Sequence, residues 1–129
     1  MRRDNRQLSD AELLLMQTLW SKAEPLTSVE IQQNLRGKLD WSLSALMTAL
    51  SRLCEKGFVN CDRSTRTNYY TALVSEADYK RGANRSFLEK LYNSSVQNFV
   101  AALYDAEELT PKDIRELREM LEQYEKEEK

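Results

Sequence analysis

Residues 42–73, SLSALMTALSRLCEKGFVNCDRSTRTNYYTAL, change their hydrophobic period partway along, and that change decides the fold. In the first half, Leu43, Leu46, Leu50 and Leu53 recur every three or four residues, the spacing that lines one face of an α-helix. The far face is polar: Ser44, Thr48, Ser51 and Arg52. Ser42 or Ser44 offers a capping hydroxyl at the start, and Gly57 after Lys56 is the residue type that closes a helix in the left-handed conformation. Beyond Gly57 the helical spacing stops. Residues 58–63 and 68–73 are short β-prone runs separated by Ser64-Thr65-Arg66-Thr67, a pattern that predicts an antiparallel hairpin. Its tip has no glycine, which favours a longer, mobile loop over a two-residue turn.

Upstream, Ser9 and Glu12 form an S-x-x-E capping signature for a helix carrying Leu15, Met16, Leu19 and Trp20 on one face. Residues 22–26, with Pro25, predict a short turn. Thr27 and Glu30 repeat the capping signature before a short helix that buries Ile31 and Leu35 and stops at Gly37. Downstream, residues 75–92 predict a helix with Tyr79, Phe87 and Leu91 on one side. Ser94 or Ser95 restarts a helix with Val96, Phe99, Val100 and Leu103. Thr110-Pro111 is a cap followed by proline at the first helical position, with Asp113 favouring the positive helix end. The last helix places Ile114, Leu117, Leu121 and Tyr124 on one stripe.

Composition narrows the function. The 129 residues contain no histidine, so imidazole-dependent nucleophile pairs and histidine-ligated zinc are excluded. There is also no Gly-rich phosphate loop, so an enzyme is not expected, and no cofactor or metal site is assigned. Three Gly and two Pro are too few for an all-β sandwich with its frequent tight turns. Cys54 and Cys61 form no CxxC pair and read as reduced thiols, with a redox or metal response at the helix–hairpin junction as the lesser reading. The first seven residues are polar and basic, without the apolar core of a secretory signal, and no stretch has the length of a membrane span. A soluble, cytoplasmic protein is expected. Charge divides unevenly: residues 1–72 hold ten basic and eight acidic groups, residues 73–129 nine and thirteen.

Three helices followed by a hairpin, with a short second helix and a hydroxyl-rich third, is the order of a winged helix-turn-helix. The fold class expected is therefore mainly α with a small β-hairpin, a winged domain over residues 1–74 and a helical dimerisation region over 75–129. In such a motif the third helix enters the major groove and the wing meets the phosphate backbone. The candidate DNA-binding residues are Ser42, Ser44, Ala45, Met47, Thr48, Ser51 and Arg52 on the helix, and Arg63 and Arg66 on the wing; Arg2, Arg3 and Arg6 are further phosphate candidates. Capping and solvation remain open roles for the serines, and an ordinary solvated hairpin for the two wing arginines. About 55 C-terminal residues can hardly bury Phe87, Leu91, Val96, Phe99, Val100, Leu103, Leu109, Ile114, Leu117 and Leu121 among themselves. A second copy is the simplest remedy, and a two-fold dimer suits two half-sites on double-stranded operator DNA.

The runs Leu8-Ser9-Asp10-Ala11-Glu12, Asp40-Trp41-Ser42, Leu53-Cys54-Glu55-Lys56-Gly57-Phe58, Tyr69-Tyr70 and Phe87-Leu88-Glu89-Lys90-Leu91-Tyr92, with Met16, Trp20 and Glu107-Glu108-Leu109, resemble the penicillinase and methicillin-resistance repressors. The resemblance extends from Leu8 to Gln123. It implies a homodimeric winged-helix transcriptional repressor of β-lactam resistance genes, with interlocked C-terminal helices, inactivated when a membrane sensor-protease pathway causes its cleavage.

Two departures qualify what carries over. The family's recognition helix typically shows Lys-Thr-x-Arg-Thr; the matching run here is Ser44-Ala45-Leu46-Met47-Thr48, which keeps only the last threonine. Without that arginine the operator should differ, and Met47 and Ala45 are candidates to touch thymine methyls. The family's Asn-Phe cleavage bond matches Ala102-Leu103, while Asn98-Phe99 lies four residues earlier, so the bond an inactivating protease would cut is left open. A related copper-responsive branch ends in paired CxC motifs. This chain ends Glu125-Lys126-Glu127-Glu128-Lys129, so a copper switch is not expected. The alternatives are a copper-type repressor that has lost its metal motif, and a winged-helix protein-interaction module without specific DNA binding.

Overall fold

A computed structural model describes residues 7–128. Its elements, in chain order, are α1 (Asp10–Ser21), α2 (Ser28–Leu35), α3 (Leu43–Lys56), β1 (Val59–Asp62), β2 (Tyr69–Ala72), α4 (Glu76–Tyr92), α5 (Val96–Asp105) and α6 (Pro111–Glu127). The chain divides into two compact units, one reaching Asn84 and one beginning at Arg85.

In the first unit both expected capping signatures close. Ser9 Oγ accepts from the Glu12 N–H at 3.2 Å while Glu12 Oε1 accepts from the Ser9 N–H at 3.0 Å. Thr27 and Glu30 make the same exchange at 3.1 and 2.9 Å. Each pair satisfies amides that the helix itself leaves orphaned. Leu15, Met16 and Leu19 from α1, Ile31 and Leu35 from α2, and Leu46, Leu50 and Leu53 from α3 then form one core with Leu26, Phe58, Val59 and Tyr70.

α3 ends at Gly57, whose φ of 88° is costly for a residue with a Cβ. The Phe58 N–H donates to the Leu53 carbonyl at 2.9 Å, which closes the helix end and feeds the chain directly into β1. The hairpin pairs Val59 with Ala72 and Asp62 with Tyr69 in antiparallel register. Each strand is one residue shorter at both ends than the spans 58–63 and 68–73 suggest. At one end the helix cap claims the Phe58 N–H; at the other, the Asp62 carboxylate accepts from the Ser64 N–H at 2.9 Å and turns the chain out of the ladder.

One expectation is extended and one corrected. The short turn over residues 22–26 closes on a contact that the sequence does not announce: Leu26 forms an antiparallel bridge with Tyr70, its N–H donating at 3.1 Å and its carbonyl accepting at 2.8 Å. A one-residue bridge has no alternation for a sequence pattern to reveal. Tyr79 does not share its setting with Phe87 and Leu91. Its ring lies 6.0 Å from both Trp20 and Phe58, and its hydroxyl accepts from the Leu8 N–H at 3.0 Å. The first turn of α4 therefore seals the winged core, beside Trp20, whose Nε1 donates to the Val74 carbonyl at 2.9 Å.

The second unit is built around three aromatic rings. Phe87, Tyr92 and Phe99 stand 5.4 to 5.7 Å apart, a spacing at which edge and tilted contacts are favourable. Ser95 caps α5, and Thr110 and Asp113 exchange hydrogen bonds of 3.0 and 3.1 Å at the start of α6. Asp113 is thus a reciprocal capping partner as well as a charge near the positive helix end. No side chain of α5 or α6 is buried. Among the described residues no helix is long and apolar enough to cross a membrane.

Candidate nucleic-acid interface

The turn between α2 and α3 fixes how α3 is presented. Gly37 takes a left-handed φ of 87° and donates its N–H to Asp40 Oδ1 at 3.1 Å, while Gln32 Nε2 donates to the Trp41 carbonyl at 3.0 Å. Leu39 and Trp41 pack against the core. Ser42 then caps α3, its Oγ accepting from the Ala45 N–H at 3.1 Å. Both readings of Ser42 stay compatible, because a hydroxyl that accepts at a cap keeps its own hydrogen to donate.

Burying Leu46, Leu50 and Leu53 turns the opposite face of α3 outward, and Ser44, Ala45, Met47, Thr48, Ser51 and Arg52 are all exposed on it. Thr48 Oγ1 donates to the Ser44 carbonyl at 3.1 Å inside the helix. Two features of this face were not singled out from sequence. Glu55 is exposed at the end of the Ser44, Thr48, Ser51 spacing, so the hydroxyl row closes on an anion. Lys56 is drawn away to α1, with Nζ 2.8 Å from Glu12 Oε2. The helical spacing itself was enough to place Glu55, since it stands four residues beyond Ser51.

Arg63 and Arg66 lie in the loop between the strands, exposed and in no salt bridge among the described residues. The loop is structured at both ends. The Ser64 hydroxyl and N–H hold the Asp62 carboxyl below its ordinary range, and Thr65 Oγ1 donates to the Thr67 carbonyl at 2.7 Å. Arg2 and Arg3, with Arg6, lie outside the described residues.

Cys54 and Cys61 are free and partly buried at the α3–β1 junction. Burial, then the neighbouring Cys61, raises the Cys54 thiol above its usual range, and burial and Cys61 likewise raise the Tyr70 phenol. A raised thiol is a poor nucleophile at neutral pH, the opposite of what a redox sensor needs. Among the described residues no group of three or more His, Cys, Asp or Glu could hold a metal ion.

The residues expected to dimerise fall into two sets. Phe87, Leu91, Val96, Val100 and Leu121 are exposed, while Phe99, Leu103, Ile114 and Leu117 are half-buried. Tyr104 and Met120 are also exposed apolar groups of this unit, at 62% and 43%. Sequence could have signalled them, as Tyr104 follows Val100 by four residues and Met120 follows Leu117 by three.

A family profile described as penicillinase repressor matches residues 8–123. The chain is similar to a penicillinase repressor of Bacillus licheniformis, 32% identical over 118 residues that make up 92% of this chain and 91% of that one. It is similar to the methicillin resistance regulatory protein MecI of Staphylococcus aureus (strain N315), 29% identical over 115 residues, 89% of this chain and 93% of the other. Among solved structures it is similar to the DNA binding domain of the repressor BlaI, with 33% identity and a TM-score of 0.50, over 58% of this chain and 90% of that domain.

Proposed function

The chain belongs to the penicillinase repressor family, and we infer from that premise that it is a transcriptional repressor that binds operator DNA through its winged helix-turn-helix. Regulation, not catalysis, is the work of this family. The observation that carries the inference is the exposed face of α3, with Ser44, Ala45, Met47, Thr48, Ser51 and Arg52, followed by a wing loop bearing Arg63 and Arg66. α3 is the helix for base edges; Ser42 and the wing arginines are the groups for phosphates. By analogy with its relatives, the regulated genes are those of a resistance operon.

The repressor acts as a homodimer through α4, α5 and α6. What supports this is that α5 and α6 bury no side chain although they carry Val96, Phe99, Val100, Leu103, Ile114, Leu117 and Leu121. An isolated unit would leave this apolar surface in water, at a cost of roughly 25 cal/mol per Å². Release from DNA by proteolysis is the finer reading that the family supports. Ala102-Leu103 and Asn98-Phe99 both lie inside α5, so cutting either bond requires α5 to open locally, because a helical backbone does not fit an extended protease cleft.

Binding to the DNA upstream of its own gene, followed by mobility shift across a salt series, tests the function. The expected result is a complex that resists excess random DNA and weakens steeply as salt rises. Absence of a complex at about 50 mM salt would overturn the reading in favour of a protein-interaction module.

A further inference from the structure

We propose that α3 reads its operator chiefly through thymine methyl groups, with Met47 and Ala45 as the contacting side chains, and not through an arginine fork on guanine. This rests on the reading of the chain as an operator-binding repressor and specifies what that operator contains.

In the helix-turn-helix geometry the N-terminal residues of the recognition helix reach the base edges. Over Leu43 to Leu50 of α3 there is no charged side chain and no Asn or Gln. The usual bidentate partners of guanine and adenine are therefore missing from the part of the helix that reaches deepest. Arg52 comes only afterwards, in the half of the helix that rises toward the backbone.

The hydroxyls do not replace those partners. Thr48 Oγ1 spends its hydrogen on the Ser44 carbonyl, which leaves the base-facing side of Thr48 with lone pairs and a methyl group. Ser44 and Ser51 each have one rotatable O–H, enough for a single bond but not for a fork that distinguishes one purine from the other. Both hydroxyls can also satisfy themselves on water or phosphate.

What remains is apolar. Met47 is 41% exposed at one edge of the outward face and Ala45 is exposed at the other, with the hydroxyls of Ser44, Thr48 and Ser51 between them. In the major groove the only apolar feature of any base edge is the C5 methyl of thymine. An unbranched thioether adapts its shape to such a methyl without needing a hydrogen-bond partner, and the methyls of Thr48 and Ala45 carry the apolar contact across the face to its other edge. The helix is thus matched to a half-site rich in A·T pairs whose thymine methyls line the groove.

The experiment uses the full-length protein and a site recovered from random duplexes, in which single thymines are replaced by deoxyuridine. This removes only the methyl. Losing one buried methyl contact should weaken wild-type binding about fourfold at one or two positions in each half-site. Met47→Ala should bind the unmodified site about fourfold more weakly and lose its sensitivity to deoxyuridine at the position Met47 covers. Since Met47 is exposed, the variant should keep the thermal stability of the wild type. The proposal is overturned if specific binding is indifferent to deoxyuridine everywhere, or if Met47→Ala keeps the full sensitivity. It is also overturned if the selected site centres on an obligatory guanine whose 7-deaza form abolishes binding. Recovery of a specific site with these outcomes leaves the repressor reading standing. Failure to select any site overturns both.

Discussion

Lys56 Nζ sits 2.8 Å from the Glu12 carboxylate, linking the last turn of α3 to the first turn of α1. Glu12 thereby has two tasks, since its other oxygen closes the cap on Ser9. The pair holds the C-terminal end of α3 against α1.

The first prediction follows from the charge on Glu12. Burial pushes its carboxyl up, but the hydrogen bonds from Lys56 and Ser9 and the Lys56 charge pull it down further, so it titrates below the ordinary carboxylate range. A carboxyl depressed in the folded state stabilises the fold above its unfolded pKa of about 4.3 and loses that contribution as pH falls through the folded value. Glu12→Gln should therefore cost about 1 kcal/mol at pH 7, a modest figure because Lys56 is partly solvent-screened. The gap to wild type should close below about pH 4. Thermal melts at several pH values check this; a gap that stays constant down to pH 3 would assign the loss to shape and not to charge.

Arg66 is exposed on the wing and makes no salt bridge among the described residues. Arg66→Ala should weaken binding to every duplex by a similar factor and lower the slope of log affinity against log salt by about one unit. Loss confined to one operator would mean that Arg66 reads bases.

The Tyr79 hydroxyl ties residue 8 to α4 and the ring covers Trp20 and Phe58. Tyr79→Phe removes one hydrogen bond and should cost about 1 kcal/mol with DNA affinity unchanged. A fragment ending at residue 74 lacks the ring altogether and should melt well below one ending at residue 84, where the first compact unit ends. Equal melting temperatures would show that α4 contributes nothing to the winged core.

Much of this architecture is legible in the residues because local chemistry dictates it. Ser9 with Glu12, Thr27 with Glu30 and Thr110 with Pro111 announce helix starts, and Gly57 announces a stop, without help from tertiary contacts. The four leucines of α3 fix its buried face, so the exposed face follows by geometry. Features that depend on distant partners leave no such trace. The Leu26 bridge exists only because Tyr70 arrives beside it, and Lys56 looks like a free cation until α1 supplies Glu12. Tyr79 fits a helical stripe with Phe87 in sequence but finds Trp20 and Phe58 in space.

The apolar surface of the second unit predicts an association. Leu91 and Leu121 are 64% and 57% exposed, so replacing both with Asp should leave the folded chain intact while placing charges in the proposed dimer contact. Sedimentation should show the double variant as a monomer at micromolar concentrations where the wild type is a dimer. Operator affinity should fall by about a hundredfold as the second half-site contact ceases to be intramolecular. A wild type that sediments as a monomer while bound to a full operator would refute the dimer.

Glu55 gives the sharpest test of where α3 ends in the complex. It is exposed on the same face as Ser44, Thr48 and Ser51, one turn beyond the last of them, where the helix should approach the phosphate backbone. An anion there opposes binding whatever the sequence. Its removal by Glu55→Gln should tighten binding two- to fivefold at low salt, roughly the worth of one exposed charge interaction. The gain should shrink as salt screens it, with the selected operator unchanged. If the variant binds with wild-type affinity across the salt series, the last turn of α3 lies clear of the DNA. Base reading is then confined to its first two turns, where Ala45 and Met47 stand.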